Sequence, residues 1–224
     1  MLSAAEVSWF RYNYQLNKFT TMKKLFYFFP LLLAASLVFI SCSGDDDDID
    51  PTVTDTGVMI GGARWATRNV GAPGTFVANP QDAGMLFQWN RQRGWTVGST
   101  TGWDGTNAEG TEWAAENDPC PPGWRVPTYG EVRTLSLATG GRWDTENGVE
   151  GRWFGRAPNQ IFLPAVGSIP QIVDQDGNMR GTYWSSTEND SNTAHTLSFS
   201  SRAPGRGIAP RLIAFPIRCV AKNL

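Results

Sequence analysis

Reactive side chains are scarce in this chain of 224 residues, which holds one histidine, three cysteines and 21 carboxylates. His195 offers a single imidazole base, which excludes metal sites built from several histidines. It lies in AHTLSFS, where alternation sets His195, Leu197 and Phe199 on one side and Thr196, Ser198 and Ser200 on the other. A packed histidine suits that apolar side better than a catalytic one. Asp104, Glu109, Glu112 and Glu116 crowd one loop-rich stretch and could supply the acid and base of a glycoside hydrolase. Nothing in their spacing pairs them, so solvated loop charge is the simpler reading. No GxSxG, P-loop or HExxH motif occurs. DQDGN, residues 174–178, begins like a calcium loop, but its glycine stands fourth, Met179 takes the sixth place and no Glu follows at the twelfth. A hairpin turn accounts for it better. The expectation is a non-enzymatic protein with no metal and no cofactor.

The cysteines carry a different chemistry. Residues 25–40, LFYFFPLLLAASLVFI, have no charge and follow Met22-Lys23-Lys24. A basic start, an apolar run and small residues near a cut describe a secretory signal peptide over residues 22–41. The alternative, a membrane-spanning anchor, needs about 20 apolar residues, and this run is shorter and contains Pro30. Residues 1–21 read as translation from an upstream start codon, with a long n-region as the alternative. Phe39-Ile40-Ser41-Cys42 resembles a bacterial lipobox, in which Cys42 becomes the lipidated first residue. Acyl chains contribute about 0.8 kcal/mol per buried methylene, so several on one residue hold firmly to a membrane. The aspartates that follow, in SGDDDDID, repel one another and stay extended. They resemble the acidic export signal of Bacteroidota-type surface lipoproteins. Residues 42–56 are therefore expected to be the lipidated cysteine and a tether, which reaches about 50 Å when extended. This places the protein on the outer membrane, facing outward. Cys120 and Cys219 remain, an even pair in an oxidising compartment, and are expected to form a disulfide. A reactive thiol or metal pair is the rival, but no histidine lies near Cys120 in DPCPPGW.

Residues 57–224 are left as the folded domain, with 15 basic and 14 acidic residues. A near-neutral balance gives no sign of a nucleic-acid face. Nine of the ten tryptophans fall here. RGWTVGSTTGWDGTNAEGTEW sets Trp95, Trp103 and Trp113 in one glycine-rich segment with Asp104 and Asn107, and Trp143 follows later. Aromatic faces beside amides and carboxylates suit sugar rings. The competing reading is a satellite core for loops that carry little regular structure.

The elements that must position these residues are short. Glycine and proline punctuation between segments of five to ten residues favours a β-rich domain. GVMIGGARWATRNV reads as a strand, a turn at Gly61-Gly62 and a second extended piece. IFLPAVGSI (161–169) and GTYWSST (181–187) read as a hairpin pair around Asp176-Gly177-Asn178. RLIAFPIRCVA reads as a last strand in which Pro216 implies an edge or a bulge. In VPTYGEVRTLSLATGG, Thr128 and Glu131 have capping-box spacing, Val132, Leu135 and Ala138 form an apolar stripe, and Gly140-Gly141 gives the stop. The fold class is α+β, small antiparallel sheets with one firm helix and long loops.

NDPCPPGWRVPTYGEVRTL, then IFLPAVGS, GTYWSST and a terminal IRCV, resemble the Fibrobacter succinogenes major paralogous domain. RWATRNVG, DAGMLFQW and GTNAEGTEW stand in that family's order, so the resemblance spans nearly all of residues 57–222. It implies a C-type-lectin-like fold on a surface or secreted protein and matches both cysteine positions. The fold is also that of formylglycine-generating enzymes, but their copper chemistry needs free paired cysteines. The EPN, QPD and WND motifs of calcium-dependent lectins are absent. The reading that results is adhesion or capture of a glycan or surface-protein partner through the tryptophan loops. Two alternatives remain open: a subunit of a surface assembly such as a pilus or glycan-uptake complex, and a divergent enzyme.

Overall fold

Strand β1 (Val58–Ile60) turns at Gly61 and Gly62 into β2 (Ala63–Trp65), as the sequence implies. Gly61 and Gly62 both take positive φ, the left-handed region that a side chain disfavours. The computed structural model describes residues 54–169 and 180–222. The signal peptide, Cys42, most of the tether and the turn expected at 176–178 lie outside the described residues. Further along come β3 (Leu86–Gln88), β4 (Gly94–Trp95) and β5 (Trp124–Arg125), then helix α1 (Tyr129–Leu137). Strands β6 (Trp143–Glu146), β7 (Val149–Arg156), β8 (Asn159–Pro164), β9 (Gly181–Glu188), β10 (Thr193–Phe199) and β11 (Pro204–Pro210) follow. Strands β12 (Ala214–Phe215) and β13 (Val220–Ala221) end the chain's regular structure. Four antiparallel sheets result, ordered β1-β2-β13-β5, β11-β10-β9, β12-β3-β4 and β6-β7-β8. The class is α+β.

The helix forms where its cap predicts. Thr128 Oγ1 accepts from the Glu131 amide, and the Glu131 carboxylate accepts from the Thr128 amide at 2.7 Å. Val132 and Leu135 are buried with Tyr183, Leu197 and Phe199, so the helix lies on one face of the β9–β11 sheet. Burying each of these aliphatic side chains stabilises by about 1.5–3 kcal/mol. Cys120 and Cys219 are bonded, and the bond stands beside the pairing of β5 with β13. The chain-entropy argument gives such a closed loop about 4.7 kcal/mol.

Three expectations need correction. Residues 161–169 and 181–187 do not pair with each other: β8 pairs with β7 and β9 pairs with β10. Each strand has a nearer neighbour across a turn of two or four residues, and the shorter loop costs less closure entropy. The final run is not one strand. It divides at Pro216 into β12 and β13, which belong to different sheets. Between them the carbonyls of Pro216, Ile217 and Cys219 accept from the amides of Trp184, Val70 and Ala66. Lastly, the tether ends earlier than Thr56. Asp55 has a side chain only 1% exposed and accepts from the amides of Gly57 and Thr67, both at 2.8 Å, and from Thr67 Oγ1 at 2.9 Å.

Candidate functional site

The tryptophan segment is held together chiefly by its own packing. Trp95, 4% exposed, lies in a small core with Leu86, Ile169 and Ala214. Trp103 leans on it with ring centroids 5.1 Å apart. Trp113, 8% exposed, meets Trp89 edge-on at 5.9 Å and donates its indole N–H to the Asn117 carbonyl at 2.8 Å. Trp95 and Trp113 therefore present little ring face for stacking a ligand; Trp103 keeps a partly open one. Trp143 stands apart on β6, half-buried, with its ring against Phe199. The satellite-core reading describes this segment.

The polar candidates of the segment hold the loop to the body. Asp104 accepts from the Thr106 amide at 2.9 Å and pairs with Arg91 at 2.9 Å. The Thr106 hydrogen bonds and the Arg91 guanidinium hold its carboxyl below the usual carboxylate range. Asn107 donates to Asn192 at 3.0 Å. The larger anchor is Arg211, whose side chain is 1% exposed. Its guanidinium lies 4.1 Å from the Trp89 ring centroid, pairs with Glu188 at 2.6 Å and donates to the carbonyls of Gly110 and Asp190. It thereby ties the loop to the β9–β10 turn. Three buried polar atoms near the loop, Gln88 Oε1, Arg91 Nε and Asn107 Oδ1, are left without protein partners. Among the described residues no three His, Cys, Asp or Glu side chains group so as to hold a metal. His195 stacks flat on Tyr129, ring centroids 4.0 Å apart.

A second region fits ligand binding better, and the sequence reading did not single it out. The β9–β11 sheet has one face under the helix; the other carries hydroxyls. Ser198 on β10 stands opposite Thr182 on β9 and Gly205 on β11, and Thr196 stands opposite Gly207. Cross-strand partners share a face, so these groups form one surface. The hydroxyls of Thr182, Thr196 and Ser198 make no hydrogen bond among the described residues. Gly205 and Gly207 do not take positive φ, so backbone conformation does not demand them. Their effect is room: a Cβ at Gly207 would stand 3.0 Å from Thr196 Oγ1. Glycine within a strand marks a place where something approaches the backbone closely.

Around this strip the chain builds a cleft of about 240 Å³. Gly167, Ser168 and Phe215 complete its lining, and Arg180, Arg206 and Ile208 come from the flanking strand and loop. Ile208 is 55% exposed. Among the described residues no carboxylate lines the cleft. Among the described residues Arg68, Arg91, Arg125, Arg142 and Arg211 pair with carboxylates; Arg180 and Arg206 do not, and neither do Arg64, Arg93, Arg133, Arg152 and Arg156. A signal for this site existed in the sequence. The polar side of AHTLSFS holds Thr196 and Ser198, and PGRGIAP spaces two glycines by two residues, which in a strand clears one face.

Among the described residues no helix is long and apolar enough to cross a membrane. No family model matches this sequence, and no curated protein or solved structure shows significant similarity to it.

Proposed function

We propose that this chain is a non-enzymatic binding protein of a bacterial cell surface, anchored by acyl chains on Cys42, which captures a glycan in the cleft of the β9–β11 sheet. The observation that carries the reading is the row of Thr182, Thr196 and Ser198 along a cleft beside Gly207, with Thr182 and Ser198 half-buried and Thr196 buried, none of the three hydroxyls having a partner among the described residues. Hydroxyls and flat backbone suit a ligand that is itself rich in hydroxyls, since each can donate and accept. A C-type-lectin-like scaffold and membership of the Fibrobacter succinogenes major paralogous domain family are part of the same proposal. The α+β class and the bond between Cys120 and Cys219 agree with both. At about 240 Å³ the cleft is smaller than ordinary drug-sized pockets of roughly 300–1,000 Å³. It would take one sugar unit of a longer chain.

The subunit reading has a separate observation in its favour. Strand β11 is an edge, it exposes Ile208, and another chain could pair along it. The two readings part in one experiment: a glycan array probed with the soluble chain from Ser43 onward, disulfide intact, beside Ser198→Ala and Gly207→Ala. Binding lost in variants that melt normally supports capture in the cleft. Binding that both variants retain removes the cleft from the reading, and no binding by the parent chain favours the subunit.

A further inference from the structure

We propose that the open groove on the outer face of the β1-β2-β13-β5 sheet is a docking site for the chain's own segment Asp48-Ile49-Asp50. The pairings of Met59 with Arg64, Val220 with Trp65 and Ala221 with Trp124 set Met59, Arg64, Ala221 and Trp124 in one row across the four strands. The next row, Val58, Trp65 and Val220, packs into the core under the helix, so the first row faces outward. With Thr56 and Lys222 it lines a groove of about 860 Å³. Met59 is 46% exposed and Trp124 is half-buried, so the floor is apolar and open. The one carboxylate among the described lining residues, Asp55, turns inward onto Gly57 and Thr67, which leaves Arg64 and Lys222 as the groove's available charges.

What fills the groove follows from where the chain enters it. The Thr56 carbonyl accepts from Arg64 at 3.0 Å, and Gly57 lies so close to the Trp124 ring that a Cβ there would stand 2.8 Å from it. The entry segment thus already runs over this face. Upstream the sequence reads DDDDIDPTV, where Ile49 has an acid on either side. Ile49 stands five residues before Thr54, a reach of up to about 17 Å, and four strands span about 14 Å. Alternation in an extended segment sends Ile49 to one side and Asp48 and Asp50 to the other. Ile49 would lie on Met59 and Trp124, with the two acids at the rim, where the long arms of Arg64 and Lys222 can follow them. Any separate ligand would compete with a segment held at roughly millimolar effective concentration by its short linker. Docking leaves residues 43–47 free, about 18 Å of reach where residues 43–53 give about 40 Å. The domain would then stand closer to the membrane; that consequence rests on the lipid anchor proposed above, and the docking itself does not.

The test uses the soluble chain from Ser43 onward, disulfide intact, labelled at its isoleucine and methionine methyl groups and followed by nuclear magnetic resonance. The Ile49 methyl should be shifted by the Trp124 ring current and show an Overhauser contact to the Met59 methyl. Ile49→Ser, which lies outside the folded core, should move the Met59 methyl resonance. Arg64→Gln and Lys222→Gln should each raise the undocked fraction about 2- to 5-fold, the range of exposed ion pairs, and added salt should do the same. Arg133→Gln, an exposed arginine on the helix, should change nothing. An Ile49 methyl at the position of a free isoleucine, without contact to Met59 in a folded chain, overturns the proposal. A contact that grows with protein concentration also overturns it and gives the groove to the same segment of a second copy. A contact that both charge variants and salt leave unchanged overturns the role of the two acids. None of these results bears on glycan capture, which the array reads separately.

Discussion

Removing the Asp55 carboxylate should loosen the whole entry of the domain. Asp55 lies before the first strand, yet it accepts from Gly57 N, Thr67 N and Thr67 Oγ1 within 2.9 Å and sits 3.5 Å from Arg68 Nε. Arg68 in turn donates to the Thr54 carbonyl at 3.1 Å. Asp55→Ala would leave two backbone amides and a mostly buried guanidinium without their acceptor. Hydrogen bonds to a charged group contribute about 1.5–3 kcal/mol each, and water replaces part of the loss near the surface. A net cost of about 3 kcal/mol follows. For a domain of this size 1 kcal/mol moves Tm by about 2–4 °C, so Asp55→Ala should melt roughly 6–12 °C lower. A chain begun at Gly57 should behave like Asp55→Ala, and one begun at Thr54 like the parent. Thermal melts followed by near-ultraviolet circular dichroism make the comparison directly. Equal melting of the Gly57 and Thr54 chains would refute the reasoning, and residues 54–56 would then belong to the tether after all.

The tryptophan segment gives a paired prediction: Trp95→Ala should cost about 3–5 kcal/mol as a core truncation, and Trp103→Ala about 1–2 kcal/mol as a partly open one. Urea unfolding reads both; equal small losses would mean that the rings do not build a core. Tyr183 is buried between Asn69 and the Pro164 carbonyl, and burial pushes its phenol up to about 12. Its folded value is above the unfolded one of 10.0, so its contribution is fully present below pH 10 and is lost as pH rises toward about 12. Tyr183→Phe should be less stable at pH 8 but lose less stability between pH 10 and 12; parallel curves would refute this. For Glu131, burial pushes the carboxyl up, but the hydrogen bonds from Arg125 and Thr128 prevail and hold it below its usual value of 4.5. The folded value being depressed, its contribution is present above the unfolded pKa and fades as pH falls through the folded one. Glu131→Gln should thus differ from the parent at pH 7 and converge with it in acid; a constant gap would assign the effect to packing instead.

Local chemistry was legible where neighbours in sequence decide the outcome. The Thr128–Glu131 cap, the turn at Gly61-Gly62 and the two faces of β10 all depend on residues within a few positions of one another. Pairing was less legible, because a turn signal states that the chain reverses and not which strand it meets. Asp176-Gly177-Asn178 pointed to a hairpin, but β8 had already found β7 across Ala157-Pro158. The final run misled for a related reason. Its apolar residues from Ile213 to Val220 are all buried, so hydrophobicity gave no break, and only Pro216, with no amide to donate, marked where one sheet hands over to another. Asp55 escaped notice because an acid that follows an acidic run looks like more of the same. Its burial depends on Thr67, which lies 12 residues away.

The candidate site shows the same division from the other side. Tryptophan drew attention because its chemistry is conspicuous, yet large rings in loops of little regular structure are what such loops need in order to pack. The cleft is made of inconspicuous residues brought together over long separations: Gly167, Arg180, Ser198 and Gly207 come from four places in the chain. Each has an ordinary reading alone. A strand glycine costs about 0.5–1 kcal/mol relative to alanine, and two of them at Gly205 and Gly207 on an edge strand weaken it without any gain in turn geometry. The local penalty needs a compensating reason, and the space over Thr196 and Ser198 is the one the fold offers. If so, Gly207→Ala should leave the domain about as stable as before while narrowing the cleft beside Thr196. Binding would then fall without a loss of stability, which is the behaviour expected of a site and not of a core.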